Sequence, residues 1–193
     1  MEVDIREIQG NWTLGYSLAK HVLHSVCIGE NEWGHPVFDT TRSEPGEALF
    51  QLKYRDDFSQ VEPIAQQLYD SFSGYFGSSS LVIPMPASKV RARQPVTEIA
   101  RSLAQKMSIP CYENLLVKSK ATPQMKDIAS RDDKVSTLVS AFTINDLLHT
   151  GLYDVLIVDD LFDTGSSLEA ATTVLQQHDK IRKIYVAVIS RKR

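Results

Sequence analysis

The adjacent acids Asp159 and Asp160, followed closely by Asp163, Thr164, Gly165, Ser166 and Ser167, are the residues whose types and spacing carry chemistry. A loop of small hydroxylated residues at the start of a helix cradles phosphate. Unpaired backbone N–H groups and the positive end of the helix dipole face the anion, and a glycine such as Gly165 lets the backbone come close. Paired carboxylates beside such a site do not bind the phosphate. They accept hydrogen bonds from sugar hydroxyls, or act as outer ligands of a metal held by a polyphosphate. The ligand so described has a phosphate at one end and a diol at the other.

Two elements must position these groups. Val155 to Val158 form a short aliphatic run, the pattern of a buried parallel strand, with the acids where the strand ends. After the loop, Leu168, Ala171, Leu175 and His178 recur at helical spacing. Three other arrangements use the same residues. Phe162 to Ser167 resembles the active-site loop of pepsin-like aspartic proteases, but those enzymes need two such loops to share a proton, and only one copy occurs here. Leu156 to Asp160 resembles the opening strand of phosphoacceptor receiver domains, which require several further strands; one helix and one strand follow here. An Asp pair capping an ordinary strand-to-helix turn accounts for the acids and leaves the hydroxylated loop unexplained.

A second loop, Pro84 to Arg93, also follows an aliphatic strand (Ser80 to Pro84) and precedes a helix. Its prolines stiffen the turn, and Lys89, Arg91 and Arg93 supply cations near Ser88. Read alone, the same residues also describe a basic helix start on the surface.

The 193 residues are long enough for one domain with a real core. A hydrophobic content of 42%, a charged content of 23% and a net charge of −3 describe a globular protein. No apolar run approaches the roughly 18 residues of a membrane span. Glu2, Asp4, Arg6 and Glu7 precede any apolar stretch, which excludes a secretory signal pattern at this end and points to the cytoplasm. Cys27 and Cys111 stand far apart with no ligand partners nearby, so zinc is not expected, and buried free thiols in a reducing cytoplasm are. Charge divides unevenly: residues 1–70 carry −7 and the remainder +4. The last fourteen residues hold Lys180, Arg182, Lys183, Arg191, Lys192 and Arg193, a solvated end or a contact for nucleic acid.

Hydrophobic patterning predicts strands over 21–28 and 33–39, and helices from Ser43 to Tyr54 and from Val61 to Phe76. A helix follows over 95–107, with a strand over 113–117 and an extended segment over 138–144. The last strand is expected over 183–189. Lys118 to Lys134 is polar and aperiodic, the pattern of a long mobile loop. From residue 80 onward strand and helix alternate, so the expected fold is α/β with a doubly wound, mainly parallel sheet. Ligands of such sheets sit at the carboxyl ends of the strands.

The thirteen residues from Val155 to Ser167 resemble the binding signature of type I phosphoribosyltransferases, which hold 5-phosphoribosyl-1-pyrophosphate (PRPP). The resemblance implies that Asp159 and Asp160 take the ribose hydroxyls and stand as indirect partners of Mg²⁺. It implies that Asp163, Thr164, Gly165, Ser166 and Ser167 take the 5-phosphate, and that Ser88, Lys89 and Arg91 take the pyrophosphate. Leu52-Lys53-Tyr54, Ile83-Pro84-Met85-Pro86, Thr122-Pro123-Gln124, Arg131 and Ala141-Phe142 fall in an order similar to the ComF branch of that family, over roughly residues 48 to 190. By analogy, 118–131 is a flexible loop closing over the reacting centre, with Lys118 and Arg131 as catalytic candidates and Lys120 and Gln124 as further contacts.

The chain departs from ComF relatives in two respects. It lacks their cysteine-rich zinc module; residues 1–45 are instead expected as a small variable hood, with 46–193 as the PRPP-binding core of one domain. Asp163 replaces the usual Thr or Ser, which resembles purine salvage enzymes whose acid is a general base; a loop acid without a chemical role is the alternative. The activity implied is transfer of a 5-phosphoribosyl group to a nitrogen acceptor, a nucleobase or an amine, with release of pyrophosphate. The alternative is a PRPP-binding regulator or a DNA-uptake or nucleic-acid-handling accessory without catalysis. A homodimer is compatible with the resemblance.

Overall fold

A computed structural model of the chain describes residues 1–89, 91–119, 128 and 130–193. Its centre is a five-stranded sheet built from both ends of the sequence. The strands are β1 (Arg6–Glu7), β2 (Leu14–Lys20), β5 (Leu81–Pro84), β8 (Tyr153–Phe162) and β9 (Ile181–Arg191). Their order is β1-β2-β9-β8-β5; all neighbours run parallel except β1 against β2. The fold is therefore α/β with a mainly parallel sheet, as the alternation of elements predicts.

Burial on both faces explains the unbroken aliphatic run of β8. Val155 and Ile157 face a layer with α5 (Ser166–Gln176) and α4 (Arg131–Val139), through Leu138, Leu168, Ala171 and Leu175. Leu156 and Val158 face the opposite layer, made by α1 (Glu44–Tyr54), α2 (Val61–Phe76) and α3 (Pro95–Met107). Leu49, Leu52, Ile64, Leu68, Phe72, Ile99 and Leu103 are the inward residues of those three helices and lose nearly all their exposure. Each such side chain contributes roughly 1.5–3 kcal/mol on burial. The core thus fixes β8 from both sides, and the acids at its end inherit that rigidity.

Several boundaries differ from the sequence expectation. Leu14–Lys20 is a central strand, although its short apolar alternation is interrupted by Gly15 and its partner β9 lies at the other end of the chain. β8 does not stop before the acids but runs through them to Phe162, because β9 continues to pair with it as far as Arg191. The polar stretch expected as one loop contains a strand end and a helix. β6 (Leu116–Lys118) pairs antiparallel with β7 (Phe142–Ile144) outside the main sheet, and α4 starts at Arg131. The start of α4 is set by Ser130, whose hydroxyl accepts from the Asp133 N–H at 3.0 Å, with Asp132 and Asp133 in the first turn. With Leu138 its single buried residue, α4 shows no amphipathic signature in the sequence.

Of residues 1–45, only the hairpin β3 (Val22–Glu30) and β4 (Pro36–Arg42) stands off the main sheet as a separate two-stranded ribbon. Cys27 on β3 is therefore exposed and Cys111 half-buried, where the sequence suggests two buried thiols. Among the described residues no helix is long and apolar enough to cross a membrane.

Candidate active site

The carboxyl ends of β5 and β8 open into a cleft of about 540 Å³. Asp159, Asp160, Ser88, Lys89, Arg91 and Lys118 all line it, so three segments distant in sequence meet there. Beside it lies a smaller concavity of about 80 Å³, formed by the loop from Phe162 to Leu168. Asp159, Leu161 and Ser167 are walls of both. Acids, cations and hydroxylated loop therefore form one continuous surface.

The two acids differ in their surroundings. Asp160 Oδ2 lies 2.5 Å from the ammonium of Lys53, and only about a quarter or less of either side chain is exposed. Asp159 receives the Asp160 backbone N–H at 2.8 Å. Burial, and then the charge of Asp160, push the Asp159 carboxyl well above the usual carboxylate range; the backbone N–H and Lys53 oppose this only in part. Behind them Ser190 donates to the Asp160 carbonyl at 3.3 Å and contacts His21 Nδ1 at 3.0 Å. His21 is held below its ordinary pKa by burial, with Arg42 and Lys53 adding to the effect.

Lys53 is the site residue that sequence reasoning missed. It stands in the Leu52-Lys53-Tyr54 triplet, yet only the packing of α1 against the sheet brings it to an acid 107 positions away. It also joins the acids to the basic loop: Arg91 Nη1 donates to the Lys53 carbonyl at 2.6 Å. Gln94 donates to the Lys89 carbonyl at 2.9 Å, which holds the loop end against the start of α3. Arg93, the third cation of that loop, turns away from the cleft. Its guanidinium lies 3.9 Å from the centre of the Phe58 ring and pairs with Glu98 at 3.3 Å.

In the smaller concavity the loop geometry is local. Gly165 has φ +80°, and a Cβ there would stand 2.8 Å from the Phe162 ring, so glycine is required on both counts. Thr164 and Ser166 hydroxyls meet at 2.9 Å. The helix closes behind them through Glu169 N–H to the Gly165 carbonyl at 2.9 Å. The first N–H groups of α5 have no intrahelical partner; that of Ser166 meets the Thr164 hydroxyl at 3.4 Å, and Ser166, Ser167 and Leu168 line the concavity.

Cations brace this loop from two directions. Arg131 donates twice to the Thr164 carbonyl, both at 3.2 Å, and pairs with Glu169 at 2.5 Å. It lines neither the cleft nor the smaller concavity and meets the loop from outside. Lys192 pairs with Asp163, and its N–H donates to the Phe162 carbonyl at 2.9 Å. Arg191 is buried against Asp4 and Ser17, Lys180 pairs with Asp146, and Arg182 pairs with Asp154. Four of the six basic residues near the C-terminus are thus engaged with acids of the same molecule. Lys120 and Gln124, and the Thr122-Pro123-Gln124 segment, lie outside the described residues.

No family model and no curated protein matches the chain. Among solved structures it is similar to orotate phosphoribosyltransferase from Aeropyrum pernix, at 18% identity and TM-score 0.46, over 89% of this chain and 76% of that one. It is also similar to adenine phosphoribosyltransferase from Saccharomyces cerevisiae, at 14% identity and TM-score 0.46, over 88% and 84% of the two chains. Phosphoribosylpyrophosphate synthetase from Mycobacterium smegmatis resembles it at 12% identity and TM-score 0.43, over 66% of this chain but only 33% of that one. This chain therefore spans about a third of the length of that synthetase.

Proposed function

We propose that the chain is a phosphoribosyltransferase of the ComF-like kind, moving a 5-phosphoribosyl group from PRPP to a nitrogen acceptor with release of pyrophosphate. The observation that carries this is the shared wall of Asp159, Leu161 and Ser167 between a cation-lined cleft and a glycine-turn phosphate cradle. That adjacency supports a ligand with phosphate, diol and pyrophosphate in that order.

Each group has a physical task in this reading. Thr164, Gly165, Ser166 and Ser167 hold the 5-phosphate through hydroxyls and the N–H groups of the first helical turn. Asp159 and Asp160 accept from the ribose hydroxyls and offset positive charge that develops on the ring as the C1–O bond breaks. Ser88, Lys89 and Arg91 bind the departing pyrophosphate, and Lys118 adds a further cation from the far wall. Arg131 holds the phosphate loop through Thr164. Asp163 accepts the proton released when the acceptor nitrogen bonds to C1, which requires that it part from Lys192.

Magnesium fits the donor set. The described residues contain no cluster of three ligating side chains, so an ion would be held mainly by phosphate oxygens and water, with Asp159 and Asp160 as outer partners. A cation there also relieves the desolvated charge at Asp159. When bound, the ion supplies neutralisation of the leaving pyrophosphate.

Calorimetric titration of PRPP, with and without Mg²⁺, tests the ligand on the wild type and on Asp160→Asn. Magnesium-dependent binding abolished by the substitution is expected; no binding to the folded wild type overturns the reading. Pyrophosphate release that requires an added base or amine then separates an enzyme from a PRPP-binding regulator.

A further inference from the structure

Every residue from Leu23 to Asp39 is exposed, so the β3–β4 hairpin is covered on neither face. Six of its side chains are large and apolar: Leu23, Val26, Ile28, Trp33, Val37 and Phe38, the tryptophan 73% exposed. From ordinary side-chain areas, this leaves roughly 600 Å² of apolar surface in water, spread over both faces of the ribbon and its tip. A two-stranded ribbon with both faces wet is marginal in isolation. None of its residues lines the candidate active-site cleft.

The edges and charges of the ribbon select its partner. β4 begins at Pro36, which has no N–H to donate, whereas β3 offers nine residues without proline and an outer edge about 30 Å long, unpaired among the described residues and irregular at Val22/His24 and Cys27/Gly29. Acidic Glu30 and Glu32 lie at the tip and exposed Lys20 at the base, where Arg42 is already paired with Glu47. Two β3 edges laid antiparallel about a twofold axis near Val26 set each acidic tip against the other chain's basic base. Such an arrangement is self-complementary, as a twofold interface must be.

We infer that the 22–42 hairpin is a dimerisation arm whose occupant is the same arm of a second copy of this chain. Arm pairing continues the β3–β4 ribbon into a four-stranded sheet and uses no residue that lines the candidate cleft.

Light scattering on size-fractionated full-length protein, from about 1 to about 100 µM, tests this. The wild type is expected at twice 21.7 kDa. Ile28→Asp with Phe38→Asp is expected to give monomer, weakening association about a hundredfold or more, with the circular dichroism of the core unchanged. Glu32→Lys is expected to weaken it about tenfold, and adding Lys20→Glu to restore it. A short bifunctional maleimide should join two chains through Cys27 and fail in Cys27→Ser. A wild type monomeric across that range overturns the inference, as does a dimer indifferent to the arm substitutions. Charge reversal without rescue overturns the antiparallel arrangement.

Discussion

The two ends of the candidate site are built on opposite plans. At the acid end, charges are gathered from afar and partly withdrawn from water: Lys53 and Asp160 come from α1 and β8 and are three-quarters or more covered. At the phosphate end, contiguous residues and backbone shape dominate, and the charged pair, Lys192 with Asp163, is about half exposed on each side. Desolvated pairs are expensive to break because the survivor stays buried; exposed pairs are worth little. The difference teaches that the acid end is tuned by electrostatics and the phosphate end by conformation.

Replacing the two lysines sets these plans against each other and gives the largest effect. Lys53→Met leaves Asp160 partly buried beside Asp159 with no cation. A loss of about 2 kcal/mol is expected, lowering Tm by about 6 °C, together with PRPP affinity reduced about a hundredfold or more. Lys192→Met should change stability by no more than about 0.5 kcal/mol. Thermal unfolding and titration calorimetry on the two variants check this; equal losses would erase the contrast.

The conformational plan breaks at Gly165. Alanine there must hold a φ of +80° and press its Cβ against the Phe162 ring. About 1–2 kcal/mol of stability and about tenfold in affinity for ribose 5-phosphate should be lost, while pyrophosphate binding at Lys89 and Arg91 is spared. Loss of both ligands together would mean that the two ends are one mechanical unit.

The same division decides what was legible in the sequence. Asp159 to Ser167 is read directly because strand, acids, turn glycine and helix start are contiguous, and each has a local signature. The helices over 61–76 and 95–107 were legible by their apolar faces, and the parallel sheet by alternation. Lys53 was not, because nothing local distinguishes a cleft lysine from a surface one. Its partner, an acid 107 positions away, is chosen by how its own helix docks on the sheet. α4 escaped because it buries only Leu138, and β2 because its longer partner, β9, lies at the other end of the chain. Arg191 and Lys192 read as a solvated tail because their acids, Asp4 and Asp163, are neighbours only in the folded molecule.

The smallest expected effect sharpens the electrostatic half of the contrast, because it is a gain. In the folded protein the Asp159 carboxyl is pushed up by burial and by the charge of Asp160. The unfolded chain titrates near the ordinary aspartate value, about 3.9. A carboxyl whose folded pKa is raised binds its proton more tightly in the native state, so the stability it contributes is complete below about pH 4 and is lost as pH climbs through the raised value. At neutral pH the ionised group therefore opposes folding. Asp159→Asn removes the ionisation while keeping the shape. With metal chelated and ligand absent, the variant should melt a few degrees above the wild type at pH 7.5, and the difference should vanish as pH falls toward 4. PRPP binding should be lost in the same variant. Lys53→Met moves stability in the opposite direction, so two neighbouring substitutions would part in sign: one relieves a charge held for the ligand, the other strands the charge that held its neighbour in place. A variant no more stable than the wild type at pH 7.5 would mean that Asp159 is solvated well enough to be an ordinary surface acid, and the acid end would then rest on the Lys53 pair alone.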